Sequence, residues 1–177
     1  MRILVAADAH WITDEVSAAL SGEGTEVVEV TQGAAVLPWL MENDADLVIL
    51  DLQIGNMGAI AVCQDLRLEE SADRLDRVPV LILLDRRADV FLARRVDADG
   101  WLVKPLDPIR LRRAYSALMA DGTYYDPSFA PSPIAVGAPP SAPSAGDGPL
   151  SSSRIGGGGP EVAAGSTTAG ALPPGSD

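Results

Sequence analysis

The sequence predicts an α/β protein, a parallel β-sheet covered by helices on both faces. Three observations predict it. Five short apolar runs recur along residues 1–122, each followed by apolar residues at helical spacing. The runs are continuously apolar rather than alternating, as in strands buried on both faces. Three of them end on an ionisable residue, Asp8, Asp51 or Lys104.

The first run, Arg2 to Ala7, ends at Asp8, and Ile12, Val16, Ala19 and Leu20 then recur at helical spacing until Gly22 and Gly24. Thr25 to Val30 reads as a second strand because Val27, Val28 and Val30 are β-branched. A second helix is expected over Ala35–Asn43, with Pro38 tolerated in its first turn. Leu47 to Leu50 is a third strand ending at Asp51, and Ala59, Val62, Cys63 and Leu66 mark the inner face of a third helix. Pro79 to Leu84 is a fourth strand. Arg87 to Val96 is a fourth helix, with Val90, Phe91 and Leu92 as its bulky apolar residues. Gly100 to Val103 is a fifth strand ending at Lys104-Pro105. Asp107 caps a fifth helix with Pro108 at its first position, a Leu111, Ala114, Tyr115, Leu118 and Met119 stripe, and Gly122 at its end. Right-handed crossovers and this element count fit a flavodoxin-like (βα)5 doubly wound sheet of strand order 2-1-3-4-5.

Composition divides the 177 residues. Residues 131–177 hold 9 of the 14 Pro and 10 of the 17 Gly, with four charged residues and no aromatic. Such a stretch buries too little apolar surface to offset the cost of ordering it. The expected organisation is a folded domain over residues 1–122, a linker over 123–130 and a disordered tail over 131–177. A single Cys allows no internal disulfide, and the longest apolar run is far shorter than a membrane span. A cytoplasmic protein with no membrane span is expected.

Net charge is −12, which opposes general nucleic-acid binding. Residues 86–113 depart from this, with seven Arg and Lys104 against four Asp. Lys104 is the only Lys in the chain.

In a doubly wound sheet, ligands bind beyond the carboxyl ends of the strands, at the switch point between the first and third. Asp8, Asp51 and Lys104 all reach that edge. Two neighbouring carboxylates repel unless a cation separates them, and Mg²⁺ suits one or two carboxylates with a phosphate. A compact ammonium suits the charge of a phosphoryl group.

At these residues the chain resembles the receiver domain of two-component response regulators, over about residues 1–122. The resemblance rests on Asp8, on Leu50-Asp51-Leu52 and on Asp99-Gly100-Trp101-Leu102-Val103-Lys104-Pro105. It implies that Asp51 accepts a phosphoryl group from a histidine kinase. It implies Mg²⁺ ligands at Asp8, Asp51 and the Gln53 carbonyl, a phosphoryl contact from Lys104 and an aromatic switch at Trp101. A cis Lys104–Pro105 bond is usual in the family.

Several positions depart from the family pattern. Ala7 replaces the first of two acidic residues, which predicts weak Mg²⁺ binding. Leu84 replaces the Ser or Thr whose hydroxyl couples the phosphoryl group to the aromatic switch. The loop after Asp51 is one residue shorter, with Gly55 at the usual Pro. These changes predict a site that responds poorly to phosphorylation.

Arg86, Arg87, Arg94 and Arg95 fall on or beside the fourth helix, and Arg110, Arg112 and Arg113 on the fifth. In the family those helices and the fifth strand form the output face. The plain alternative is a solvated face with ion pairs to Asp89 and Asp97. The functional alternative is docking onto an acidic surface of a larger protein or complex, since Arg favours interfaces.

The expected function is therefore an atypical, stand-alone receiver acting as a protein-interaction module, with weak or no dependence on phosphorylation. A conventional single-domain regulator phosphorylated on Asp51 in a phosphorelay is the alternative. No catalytic residue is assigned, and no enzyme is expected. A flavin or nucleotide is not expected, because Ala9 to Thr13 lacks the small hydroxylic residues that cradle a phosphate. Direct DNA binding is not expected, since one Arg and no helical periodicity follow residue 130. His10 is read as an exposed residue, Cys63 as core, and Gly156 to Gly159 as outside any phosphate loop.

Overall fold

The computed structural model describes residues 1–22 and 24–127. The chain divides into two units, Met1–Ile134 and Ala135–Asp177. The expected tail, residues 128–130 of the expected linker, and Gly156 to Gly159 lie outside the described residues.

Strands β1 (Arg2–Ala6), β2 (Glu26–Val30), β3 (Leu47–Asp51), β4 (Val80–Leu84) and β5 (Gly100–Val103) alternate with five helices. These are α1 (His10–Leu20), α2 (Val36–Glu42), α3 (Ala59–Ser71), α4 (Val90–Arg95) and α5 (Pro108–Leu118). A two-residue strand, β6 (Tyr124–Tyr125), follows α5, and the sheet order is β2-β1-β3-β4-β5-β6. All strand pairs are parallel. No helix of the described residues is long and apolar enough to cross a membrane.

Alternate side chains of each central strand face opposite layers, so one apolar run serves two cores. Leu4, Val48, Leu50, Val80, Ile82 and Leu84 pack against α2 and α3. Ile3, Val5, Leu47, Ile49, Leu81 and Leu83 pack against α1 and α5. The α1 residues Ile12, Val16, Ala19 and Leu20 are buried, as are Ala59, Val62, Cys63 and Leu66 of α3. The Asp107 side chain accepts a hydrogen bond from the Arg110 N–H and caps α5.

The fourth helix differs from the expectation. Arg87–Asp89 form a 3₁₀ turn, and α-helix covers only Val90–Arg95, with Ala93 its one buried residue. Three consecutive apolar residues cannot share a face when each step turns by about 100°. Phe91 consequently points outward, 62% exposed.

The second difference is β6. Tyr124 and Tyr125, expected in a linker, pair with Gly100 and Trp101. Gly100 permits this approach, since a Cβ there would lie 2.8 Å from the Tyr124 carbonyl oxygen. The Asp126 carboxylate then accepts from the Val103 N–H at 3.1 Å and from the Arg110 guanidinium at 2.6 Å.

Candidate functional site

Parallel register brings the chemistry-bearing residues together. Asp51 pairs with Leu83 and Leu84 with Val103, so Asp85 and Lys104 leave the sheet side by side. The Lys104 N–H donates to the Leu84 carbonyl at 2.8 Å, and Lys104–Pro105 is cis, as the resemblance implies. Asp8 follows β1, next to β3 at the switch point.

Lys104 Nζ donates to Asp51 Oδ1 at 2.5 Å and to Asp85 Oδ1 at 2.9 Å. It also lies 5.9 Å from the centre of the Trp11 ring. Asp51 is buried, 3% exposed, and Asp8 is exposed at the rim. Asp85 Oδ2 is buried without a hydrogen-bond partner. Burial pushes the Asp51 carboxyl above its ordinary value, the Lys104 hydrogen bond opposes this, and the Asp85 and Asp8 charges add to it. Burial alone would lower the Lys104 ammonium, but its hydrogen bonds to Asp51 and Asp85 outweigh that and raise it. Lys104 therefore stays charged while balancing two carboxylates.

The loop after β3 is held from below. The Gly33 N–H donates to the Gly55 carbonyl at 3.1 Å, and Asn56 Nδ2 donates to Gln32 Oε1 at 3.0 Å. A Cβ on Gly33 would sit 1.8 Å from the Met57 carbonyl oxygen. Asn56 and Met57 both take positive φ, 59° and 148°, where the shortened loop turns back into α3. Gln53 is exposed within this loop.

Ala7 and Leu84 are both fully buried, Ala7 with the α1 and α5 core and Leu84 with the α2 and α3 core. Among the described residues, no group of three or more His, Cys, Asp or Glu is arranged to hold a metal ion. Asp8 and Asp51 would offer two carboxylate oxygens at this edge, a donor set compatible with Mg²⁺, which commonly uses one or two carboxylates and completes its shell with water and phosphate.

Trp101 is buried, 3% exposed, in the same core cluster as Leu84. The Tyr125 ring stacks on it, and the Arg94 guanidinium lies 5.3 Å from its centre. Sequence reasoning missed Tyr125 and Asp85 as neighbours of the site. Asp85 had a signal, since it directly follows Leu84. Tyr125 had little, because two residues show no periodicity.

The arginines of the expected face differ in the partners they meet. Arg112 Nε donates to the Ala19 carbonyl at 2.8 Å and ties α5 to α1. Arg110 is held by Asp126 and the Pro105 carbonyl. Arg86 pairs with Asp89 at 3.2 Å. Both Arg110 and Arg112 have backbone carbonyls within reach, which a one-dimensional charge count cannot register. Arg86, Arg87, Arg94, Arg95, Arg112 and Arg113 are all exposed, Arg94 with its guanidinium 5.3 Å from the Trp101 ring centre. The edge of β5 is covered by β6.

A doubly wound sheet with a strand-end Asp bonded to the Lys of a cis Lys-Pro step defines a receiver-type signalling domain. The family model for the response regulator receiver domain matches residues 3–116, and the chain belongs to that family. It is 30% identical over 128 residues to the aerobic respiration control protein ArcA of Escherichia coli K12, covering 69% of this chain and 51% of ArcA. It is 32% identical over 120 residues to the response regulator protein PmrA of Pseudomonas aeruginosa, covering 67% and 52%. The chain thus spans about half the length of these relatives. Among solved structures, the chemotaxis response regulator CheY4 of Vibrio cholerae superposes with a TM-score of 0.58 at 25% identity, covering 65% of this chain and 95% of that one. A putative response regulator from Chloroflexus aurantiacus gives 0.61 at 21% identity, covering 67% and 97%, which speaks to the fold.

Proposed function

We propose that this receiver domain acts as a protein-interaction module in two-component signalling, with weak or no dependence on phosphorylation of Asp51. The observation that carries the reading is the burial of Leu84 in the core cluster that also holds Trp101. Where the family pattern has a hydroxyl that links a phosphoryl group to the aromatic switch, Leu84 contributes only apolar packing. Trp101 is held instead by Tyr125 and Arg94. A buried aromatic with a ring on one side and a cation near it has few free rotamers to exchange.

The docking face is the α4–β5–α5 side, where Arg87, Arg94, Arg95 and Arg113 are exposed, with Phe91 as an exposed apolar anchor. Arginine and an aromatic set in a polar surround are the composition of interface centres. The partner this favours presents acidic side chains around an apolar patch.

The conventional alternative draws on the Lys104–Asp51 contact, the pairing a phosphoacceptor site requires. In that reading Asp8 and Asp51, with the Gln53 carbonyl, would hold Mg²⁺. Bound there, Mg²⁺ supplies neutralisation of phosphoryl charge. Asp51 would be the acceptor, and Lys104 would orient the phosphoryl oxygens.

Partner recovery by the full chain separates the readings. The Arg94→Glu/Arg113→Glu double variant should lose the partner, while Asp51→Asn should keep it. Recovery unchanged in the double variant, or lost in Asp51→Asn, contradicts the proposal.

A further inference from the structure

We propose that Asp85 is a positioning residue that competes for Lys104, sharing the ammonium that a phosphoryl group arriving on Asp51 would need. The inference rests on the reading above that the site responds weakly to phosphorylation, and it supplies a cause.

The geometry is specific to this chain. Lys104 Nζ is shared between Asp51 Oδ1 at 2.5 Å and Asp85 Oδ1 at 2.9 Å. The Asp85 side chain is one-third exposed (33%), yet its Oδ2 is buried with no partner. The side chain's one hydrogen-bond partner among the described residues is Lys104, and Lys104 is the only ammonium side chain in the chain.

Charge counting gives the direction. Ala7 removes one carboxylate from the β1 side of the pocket, and Asp85 places one on the β4 side. The count is restored, but the new charge faces the lysine. In phosphorylation by acetyl phosphate, an Asp51 carboxylate oxygen attacks phosphorus and the bond from phosphorus to the acetate oxygen breaks. Acetate leaves with the bonding pair. The singly charged carboxylate becomes an acyl phosphate carrying up to two charges. The added charge needs Lys104, and Asp85 both repels it and occupies its counter-ion. A charge-assisted hydrogen bond at a part-buried site is worth about tenfold or more in an equilibrium.

The test uses the full chain labelled with ¹⁵N,¹³C-lysine, where a single side-chain signal reports Lys104. Wild type, Asp85→Asn and Asp85→Ala are treated with acetyl phosphate and Mg²⁺ and followed by intact mass. Both variants should gain phosphate about tenfold faster than wild type, a gain abolished by adding Asp51→Asn. The Lys104 signal should shift on removal of Asp85 and shift again on phosphorylation. Equal rates in wild type and folded variants, no phosphate gain in any of them, or a Lys104 signal indifferent to Asp85 overturns the proposal. These outcomes are read as ratios between variants. The function proposed above is tested separately, by whether Asp51→Asn keeps the partner.

Discussion

The rings of Trp101 and Tyr125 stack with centroids 4.1 Å apart and planes inclined by 18°. The first belongs to β5 and the second to β6, so the aromatic at the family's switch position is covered by the chain's own extension past α5. That extension is tied down by Asp126, whose carboxylate joins Arg110 to the Val103 N–H. Trp101 and β6 are therefore in direct contact through Tyr125.

Tyr125→Ala removes the cover. Trp101 should become more exposed, and the domain should lose about 1 kcal/mol, the usual worth of an aromatic pair beyond simple burial. Tryptophan emission in a Trp11→Phe/Trp39→Phe background should move to the red, and urea unfolding should give the energy. Emission that stays where it was would mean that Trp101 is held by α4 and the core alone.

Gly33→Ala should disturb the site without touching it. A methyl group at Gly33 meets the Met57 carbonyl oxygen at 1.8 Å and its carbon at 2.9 Å, both backbone atoms with little freedom to yield. A loss of about 1–3 kcal/mol is expected, as for overpacked interiors. Amide shifts should concentrate in residues 53–58 and near Asp8. A variant as stable as wild type, with no shift in that loop, would contradict the close approach.

Asp51 makes stability depend on pH with a definite sign. Burial raises its carboxyl above the ordinary 3.8, against the Lys104 hydrogen bond. The folded chain thus holds this proton more tightly than the unfolded one. The contribution to stability is complete below 3.8 and is lost as pH rises through the folded value. Asp51→Asn escapes that loss. It should melt above wild type near neutral pH, and the two should converge in acid. Calorimetry across that range decides it, and an Asn variant that melts lower near neutrality would show that the Lys104 pairing outweighs burial.

The layered fold is legible in the sequence because its signals are local and repeated. Ile12, Val16, Ala19 and Leu20 sit at helical spacing, and continuous apolar strands leave parallel pairing between two helical layers as the way to bury both faces. Asp8, Asp51 and Lys104 were legible because strand ends converge at one edge in that topology, and Asp107 was legible as a cap from its own neighbours. The tertiary structure alone decided how the charges are used. Arg110 is half-buried and Arg112 exposed, and each has a carboxylate or carbonyl acceptor brought to it by an element distant in sequence. β6 exists because the edge of β5 offers unpaired backbone groups and Gly100 admits a neighbour, and neither condition can be seen in Tyr124-Tyr125. Asp85 follows a buried strand by one residue, but its partnership with Lys104 depends on the β4–β5 register. Local periodicity records which residues are buried, whereas the pairing of polar groups depends on distances that exist only after the strands have docked.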